Sequence, residues 1–263
     1  MELRPFRSLR FSPATISERG LDALFAPPRR GVDEERLRRL RAAAPENIAR
    51  ITHPEASEGD PNAAAADTLA RWHSEGILLK ERRPGLWIYR QSFEQEGRPV
   101  VLSLLVGLVR ITVGTGGIEL PAETPSPEAK EERFAFLKTL KADFEPCLLS
   151  TRAPLSGALA TTRRPDLSAV DDRGVRHDAY RIFDFAEHVQ LQGLVKNAEA
   201  SLVEGLDRYE AARDFAEGAE AAKLSGAKFK LCAIAEETSL ASAPRAPEIY
   251  SGLFGVSLED PVY

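Results

Sequence analysis

Cysteine is scarce in these 263 residues: there are two, Cys147 and Cys232, both set in apolar runs. One disulfide is the most the chain could form, and the apolar surroundings fit buried free thiols in a reducing compartment better. Histidine is nearly as rare. His53, His73, His177 and His188 are scattered without the spacing of metal ligands, so no metal centre is expected. Long apolar runs are missing too. The longest, 100–113, is broken by Gly107 and Arg110 and falls short of the roughly 20 residues that span a bilayer. The opening MELRPFRSLR has no apolar signal core, and a cytoplasmic protein with no membrane partner is the expectation. There is no GxxxxGKS/T phosphate loop, no GxSxG elbow and no CxxC pair, which removes the most familiar routes to phosphate binding, serine nucleophiles and thiol redox chemistry. An excess of positive charge is also absent. The formal net charge is −5, so nothing suggests a general grip on nucleic acid, and no nucleic-acid partner is expected.

What is present is ordinary for a folded protein: 43% hydrophobic and 29% charged residues, enough to bury a real core. The charge is uneven. Arginine crowds the first fifty residues (Arg4, Arg7, Arg10, Arg29, Arg30, Arg36, Arg38, Arg39 and Arg41), whereas 199–220 is mostly acidic. The arginines make either a local basic patch able to hold a phosphorylated small molecule or a solvated helix face. Asp33 caps an expected helix that stops before Pro45, and Asp60-Pro61 starts a second that ends at Gly76. Residues 86–93 alternate as an aromatic-rich strand, 94–97 turn, and 100–113 return as a buried strand, bent or bulged at Gly107. Gly114-Thr115-Gly116-Gly117 is a turn or, less simply, a phosphate-cradling loop. Ser126 caps a helix over 127–141, Asp184 another to Lys196, and a third covers 207–223. Further strands are expected at 146–149, 175–183, 200–203 and 228–235. Residues 153–169, rich in Pro, Ser, Thr and Gly, form a loop, and 242–247 another. The mixture lacks strict βαβ alternation, so the class is α+β, a mixed sheet with flanking helices. One domain over 1–263 accounts for this, or two lobes, 1–152 and 170–263, joined by the 153–169 loop.

Six segments, in order, carry a resemblance: RPFRSLRF, LFAPP, PENIAR, LARWHSEGILL, LWIYRQSFEQEGR and EGLDRYEAA. Together they resemble the family catalogued as domain of unknown function 1015, along nearly the whole chain, as a short and divergent member. The family's APPYDVI segment keeps Ala26, Pro27 and Pro28, with Arg29, Arg30 and Gly31 in place of the next three residues. Its PHE segment, followed by a KxDR helix, keeps Pro121, Glu123, Lys130 and Arg133, but Ala122 replaces the histidine. Its DGHHRY motif is matched or nearly matched by Glu204, Gly205, Arg208 and Tyr209, while Leu206 and Asp207 replace both histidines. The last motif is also similar to one in ParB-like free-serine kinases. That likeness implies a ParB/serine-kinase-like fold and nucleotide-linked phosphoryl transfer to a small hydroxyl compound, with ADP or ATP and Mg²⁺ as cofactors if the chain is active.

Phosphoryl transfer needs cations over developing phosphate charge and an acceptor for the hydroxyl proton. On the resemblance, Glu123 and Glu204 are the candidate catalytic carboxylates. Lys130, Arg133 and Arg208 are the candidate phosphate cations, with Arg4 and Arg7 as further ones. Gly205 precedes a helix whose first amides could meet an anion, and Asp207 and Tyr209 complete the motif. Each also has a plainer reading. Glu-x6-Lys-x2-Arg occurs on exposed helices, Arg208 with Glu204 is an ordinary i,i+4 pair, and Tyr209 suits a core. Alanine and leucine cannot move a proton as imidazole can, and Asp207 adds negative charge. The implied reading is a divergent, non-catalytic member that binds a nucleotide or small phosphorylated ligand. The alternative is an active ADP/ATP-dependent kinase of free serine or a similar compound. Either requires Glu123, Lys130, Arg133, Glu204 and Arg208 to converge around one cavity.

Overall fold

Short polar residues placed just before apolar periodic runs start the main helices. Asp33 accepts from the Arg36 amide, Asp60 from Asn62, Ser126 from Ala129 and Asp184 from Glu187, each filling an orphan donor of the first turn. Proline at the first position of the second and third reinforces the start. The computed structural model describes residues 1–29, 32–55, 59–111, 118–218, 223–243 and 248–262. Its helices are α1 (Pro13–Arg19), α2 (Glu34–Ala43), α3 (Ala49–Thr52), α4 (Pro61–Ser74), α5 (Pro127–Leu140), α6 (Leu155–Ala158), α7 (Phe185–Lys196), α8 (Leu206–Glu217) and α9 (Glu237–Ala241). Its strands are β1 (Leu3–Arg4), β2 (Leu9–Phe11), β3 (Leu78–Lys80), β4 (Leu86–Gln95), β5 (Arg98–Arg110), β6 (Ile118–Glu119), β7 (Ala142–Asp143), β8 (Cys147–Thr151), β9 (Leu167–Val170), β10 (Arg176–Ile182), β11 (Ala200–Glu204), β12 (Phe229–Glu236) and β13 (Val256–Ser257).

The main sheet runs β6-β11-β8-β12-β5-β4-β10-β9, with β1 added along β5. Two pairings are parallel, β11 with β6 and β12 with β8, and the rest antiparallel. This is the α+β class with a mixed sheet. Strands from before residue 152 and after residue 170 alternate within it: β8 lies between β11 and β12, and β4 pairs with β10. Both faces are covered. Leu102, Leu104, Val106 and Leu108 of β5 join one apolar cluster with Leu231 and Ala233 of β12. Leu105 and Val109 join the other with Cys232 and Ile234. The period of two thus sends one side chain to each layer, and near-continuous apolar strands result. The first face packs under α3, α4 and the C-terminal residues Tyr250 and Phe254; the second lies under α7 and α8.

Three details differ from the expectations. β5 has no bulge at Gly107: its register with β12 runs unbroken from Arg110 to Leu105. Gly107 is needed because a Cβ there would lie 2.6 Å from Leu3 Cδ1 and 2.7 Å from Leu86 Cδ2, where β1 takes over from β4 along the strand. The 153–169 segment is not a plain loop, since it carries α6 and the start of β9. The strand expected at 200–203 reaches Glu204, with a register shift against β8 between Leu202 and Glu204. Cys147 and Cys232 face each other in register on β8 and β12, buried and both free thiols. The glycine run 114–117 and residues 219–222 and 244–247 of the expected helix and loop lie outside the described residues. No helix among the described residues is long and apolar enough to cross a membrane.

Candidate ligand-binding cleft

The bulge at the end of β11 delivers the chain into a tight turn at Gly205, from which α8 departs. Gly205 has φ +94°, a backbone that favours glycine, and a Cβ on it would lie 2.7 Å from the Arg208 guanidinium and push that head group aside. Arg208 folds back from the first turn of α8 to give Nη2 to Glu204 Oε1 at 3.0 Å. It is only 7% exposed, and its Nε has no hydrogen-bond partner. Behind the turn, Cys147 Sγ donates to the Gly205 carbonyl at 3.4 Å.

Opposite stands α5, packed along α8. Its Arg133 is 7% exposed and divides its fork between two acids: Nη1 meets Glu145 Oε2 at 2.6 Å, and Nε meets Asp207 Oδ2 at 3.3 Å. Glu145 follows the short strand β7 and accepts from the Arg29 amide at 3.2 Å through its other oxygen. Burial alone would raise the Glu145 pKa. Arg133, then Arg208 and His53, outweigh it and pull it down to about 2. Beneath this pair Lys230 of β12 gives Nζ to Asp143 Oδ2 at 2.5 Å and to the Glu145 carbonyl at 2.7 Å. Arg29 reaches Glu132 at 2.7 Å and lies over the Phe136 ring. Buried charges are paired throughout, as they must be to remain charged.

A cleft of about 920 Å³ opens between these elements. Glu123, Arg133, Glu204, Gly205 and Asp207 line it together, joined by Arg29, Arg41 and His53. Arg208 sits just behind its floor rather than on it. Lys130 belongs elsewhere, because its ammonium turns to Asp214 of α8 at 2.8 Å. Tyr209 is packed in the apolar cluster under the sheet. Arg4 pairs with Glu2 at 2.7 Å, Arg7 gives Nε to the Glu81 carbonyl at 2.8 Å, and neither lines the cleft.

Sequence reasoning passed over His53, Asp143, Glu145 and Lys230, and named Arg29 only as one of the arginines crowding the first fifty residues. One signal was available for three of them: Asp143, Glu145 and Lys230 are charges inside otherwise apolar strand-forming segments, where an unpaired charge could not stay. His53 carried no comparable mark.

The chemistry open to this arrangement follows from its charge layout. The arginines lie deep and the acids Glu123, Glu132, Glu204 and Asp207 stand toward the opening. An anion reaches Arg133 by taking the place that Asp207 holds, or arrives with a cation that the acids can accept. Among the described residues no cluster of three or more His, Cys, Asp or Glu is placed to hold a metal ion. No curated protein and no solved structure matches the chain. A family model described as "Protein of unknown function (DUF1015)" matches residues 3–241, and the chain therefore belongs to that family.

Proposed function

We propose that the cleft binds a nucleotide or small phosphorylated ligand, and that this chain is a divergent, non-catalytic member of a phosphotransferase-like family. The observation that carries the reading is the meeting of Arg133 with the Gly205 turn at one cleft. Arg133 supplies a planar donor fork whose Nε is held by Asp207 at a long 3.3 Å, a contact that a phosphate oxygen improves upon. The amides opening α8 add donors on the same side, at the positive end of a twelve-residue helix. Ala122, Leu206 and Asp207 stand where the family pattern places histidines, and none can relay a proton as imidazole does. The ParB/serine-kinase-like part of the fold belongs to the same reading, as do a cytoplasmic location and a small molecule, rather than nucleic acid, as partner.

Isothermal titration with ADP, ATP and pyrophosphate, each with and without Mg²⁺, tests it. Saturable binding that Arg133→Gln weakens at least tenfold is the expected result; no heat and no thermal shift with any of them removes the reading. A second reading, an ADP/ATP-dependent kinase of free serine or a similar hydroxyl compound, draws support from Glu123, which lines the same cleft as Glu204. Phosphoserine formed by the purified protein and abolished by Glu123→Gln would put that reading first.

A further inference from the structure

The four histidines look unrelated along the sequence, yet His53 lines the cleft. It follows α3, whose last turn it closes by donating its amide to the Ala49 carbonyl at 2.9 Å, and its own carbonyl accepts from Arg41. The ring is almost enclosed, 5% exposed. Its Nδ1 lies 2.8 Å from Thr52 Oγ1, and Thr52 Oγ1 lies 3.3 Å from the Ile48 carbonyl. A carbonyl can only accept, so both contacts are hydrogen bonds at once only when Thr52 gives its single hydroxyl proton to Ile48 and receives Nδ1–H; the other tautomer makes one of them and leaves a buried Nε2–H with no acceptor. With the proton on Nδ1, Nε2 carries a bare lone pair, and it has no protein partner. A buried acceptor left unfilled is costly unless something else fills it.

The groups around the ring agree with the neutral form. Arg29, Arg133 and Arg41 act on it from the cleft walls, and Glu145 is the acid that opposes them. Burial is the larger influence; with the three arginines it outweighs Glu145 and brings the pKa down to about 4. At neutral pH the imidazole is an acceptor beside arginines, and what it needs is a donor.

We propose that His53 Nε2 accepts a hydrogen bond from a hydroxyl group of the ligand, so that the cleft selects hydroxylated phosphates over phosphates in general. This rests on the anion-binding reading of the cleft and adds the ligand's second functional group. It also identifies an imidazole contributed from the 53 position to a cleft whose two motif segments carry Ala122, Leu206 and Asp207 instead.

A matched pair of probes tests it: glycerol 3-phosphate, and propyl phosphate, which has the same chain without hydroxyls. Wild-type protein is expected to bind glycerol 3-phosphate roughly tenfold more tightly, the worth of one hydrogen bond. His53→Leu should erase that preference and leave propyl phosphate affinity unchanged. Equal binding of the two by wild type overturns the role of His53 and leaves the anion reading standing. A preference that survives in His53→Leu also overturns it. Failure of both probes and of pyrophosphate removes the anion reading and this inference with it. Should His53→Leu not fold, His53→Gln, whose amide oxygen can still accept, is expected to keep part of the preference. Imidazole ¹⁵N shifts of wild type supply a readout free of ligand: the neutral Nδ1–H form is expected between about pH 6 and 8, and a neutral Nε2–H ring would overturn the assignment.

Discussion

Two buried polar networks in this protein have similar parts and opposite outcomes. In the first, Tyr89 and His177, both fully enclosed, meet at 2.5 Å through the phenol and Nδ1. His177 Nε2 faces Asp171 Oδ2 at 3.3 Å. Arg36 grips Asp172 with two bonds of 2.8 Å and reaches the Tyr250 hydroxyl at 2.6 Å. Phe25 and Tyr250 pack their rings against His177. Every charge there has an opposite charge, and aromatic rings close the shell. The network ties the C-terminal residues around Tyr250 to β4 and β10. The second network, around Arg133 and Glu145, pairs its charges as well but faces a cleft. Each network leaves side-chain nitrogens without a hydrogen bond: Arg36 Nη1 and His177 Nε2 in the first, which face the Glu248 and Asp171 carboxylates inside a closed shell, and Arg208 Nε and His53 Nε2 in the second, beside the cleft. The difference is access rather than satisfaction: an unfilled donor or acceptor can meet a ligand only beside an opening.

The comparison breaks most visibly through its central charges. Glu145→Ala leaves the Arg133 guanidinium buried beside a single, longer contact, and a loss of about 3–5 kcal/mol is expected in urea unfolding. Asp171→Ala in the closed network removes the carboxylate that faces His177 and accepts from the Arg173 and Val175 amides, leaving no arginine unpaired, and about 1–3 kcal/mol is expected. Equal losses would mean that the two networks are not distinguished by charge.

Acid titration sharpens the same contrast. The unfolded chain binds a proton at His53 near pH 6.5, whereas the folded chain does so only near pH 4. Between those values the unfolded state holds more protons, so stability falls as pH falls. At about 1.4 kcal/mol per pH unit the effect is about 3 kcal/mol. Glu145 adds a second decline: its stabilisation is complete above pH 4.5 and is lost as pH drops toward about 2. Urea midpoints across this range should show both stages, and His53→Leu should flatten the upper one. An unchanged profile in that variant would show that the upper stage arises elsewhere. In the closed network, Tyr89→Phe removes the hydroxyl that His177 and Gln91 share, and about 1–3 kcal/mol is expected, with ligand affinity unaltered. A loss of affinity would connect the two networks.

How much of this was legible depended on locality. The caps Asp33, Asp60, Ser126 and Asp184 could be read because an N-cap is a contact over two or three residues. The strand at 100–110 could be read because both faces are apolar. The sheet order could not. Nothing within β8 or β12 announces that Cys147 will lie beside Cys232, since that pairing follows from packing across some eighty residues. The cleft was partly legible for the same reason. Glu204, Gly205 and Asp207 are neighbours, and Glu123 and Arg133 share a segment, so motif order brought them into view. His53 was missed because its value lies in Thr52 fixing its tautomer and in α5 and α8 reaching it from elsewhere. Periodicity also misplaced one residue. Lys130 and Arg133 share a helix face, as their spacing requires, but α8 runs along that face and receives them at different heights.

That last point yields the smallest expected effect and a clean control. Lys130 meets Asp214 at the solvent-facing end of the α5–α8 contact, where an exposed pair contributes little against screening and side-chain entropy. Arg133, one turn along, meets Asp207 and Glu145 in the interior. Lys130→Ala should therefore leave the urea midpoint and the affinity for pyrophosphate unchanged, whereas Arg133→Gln alters both. A drop in affinity for Lys130→Ala comparable to that of Arg133→Gln would mean that the ligand extends out of the cleft and along the helix pair by a helical turn, displacing Asp214 from the lysine.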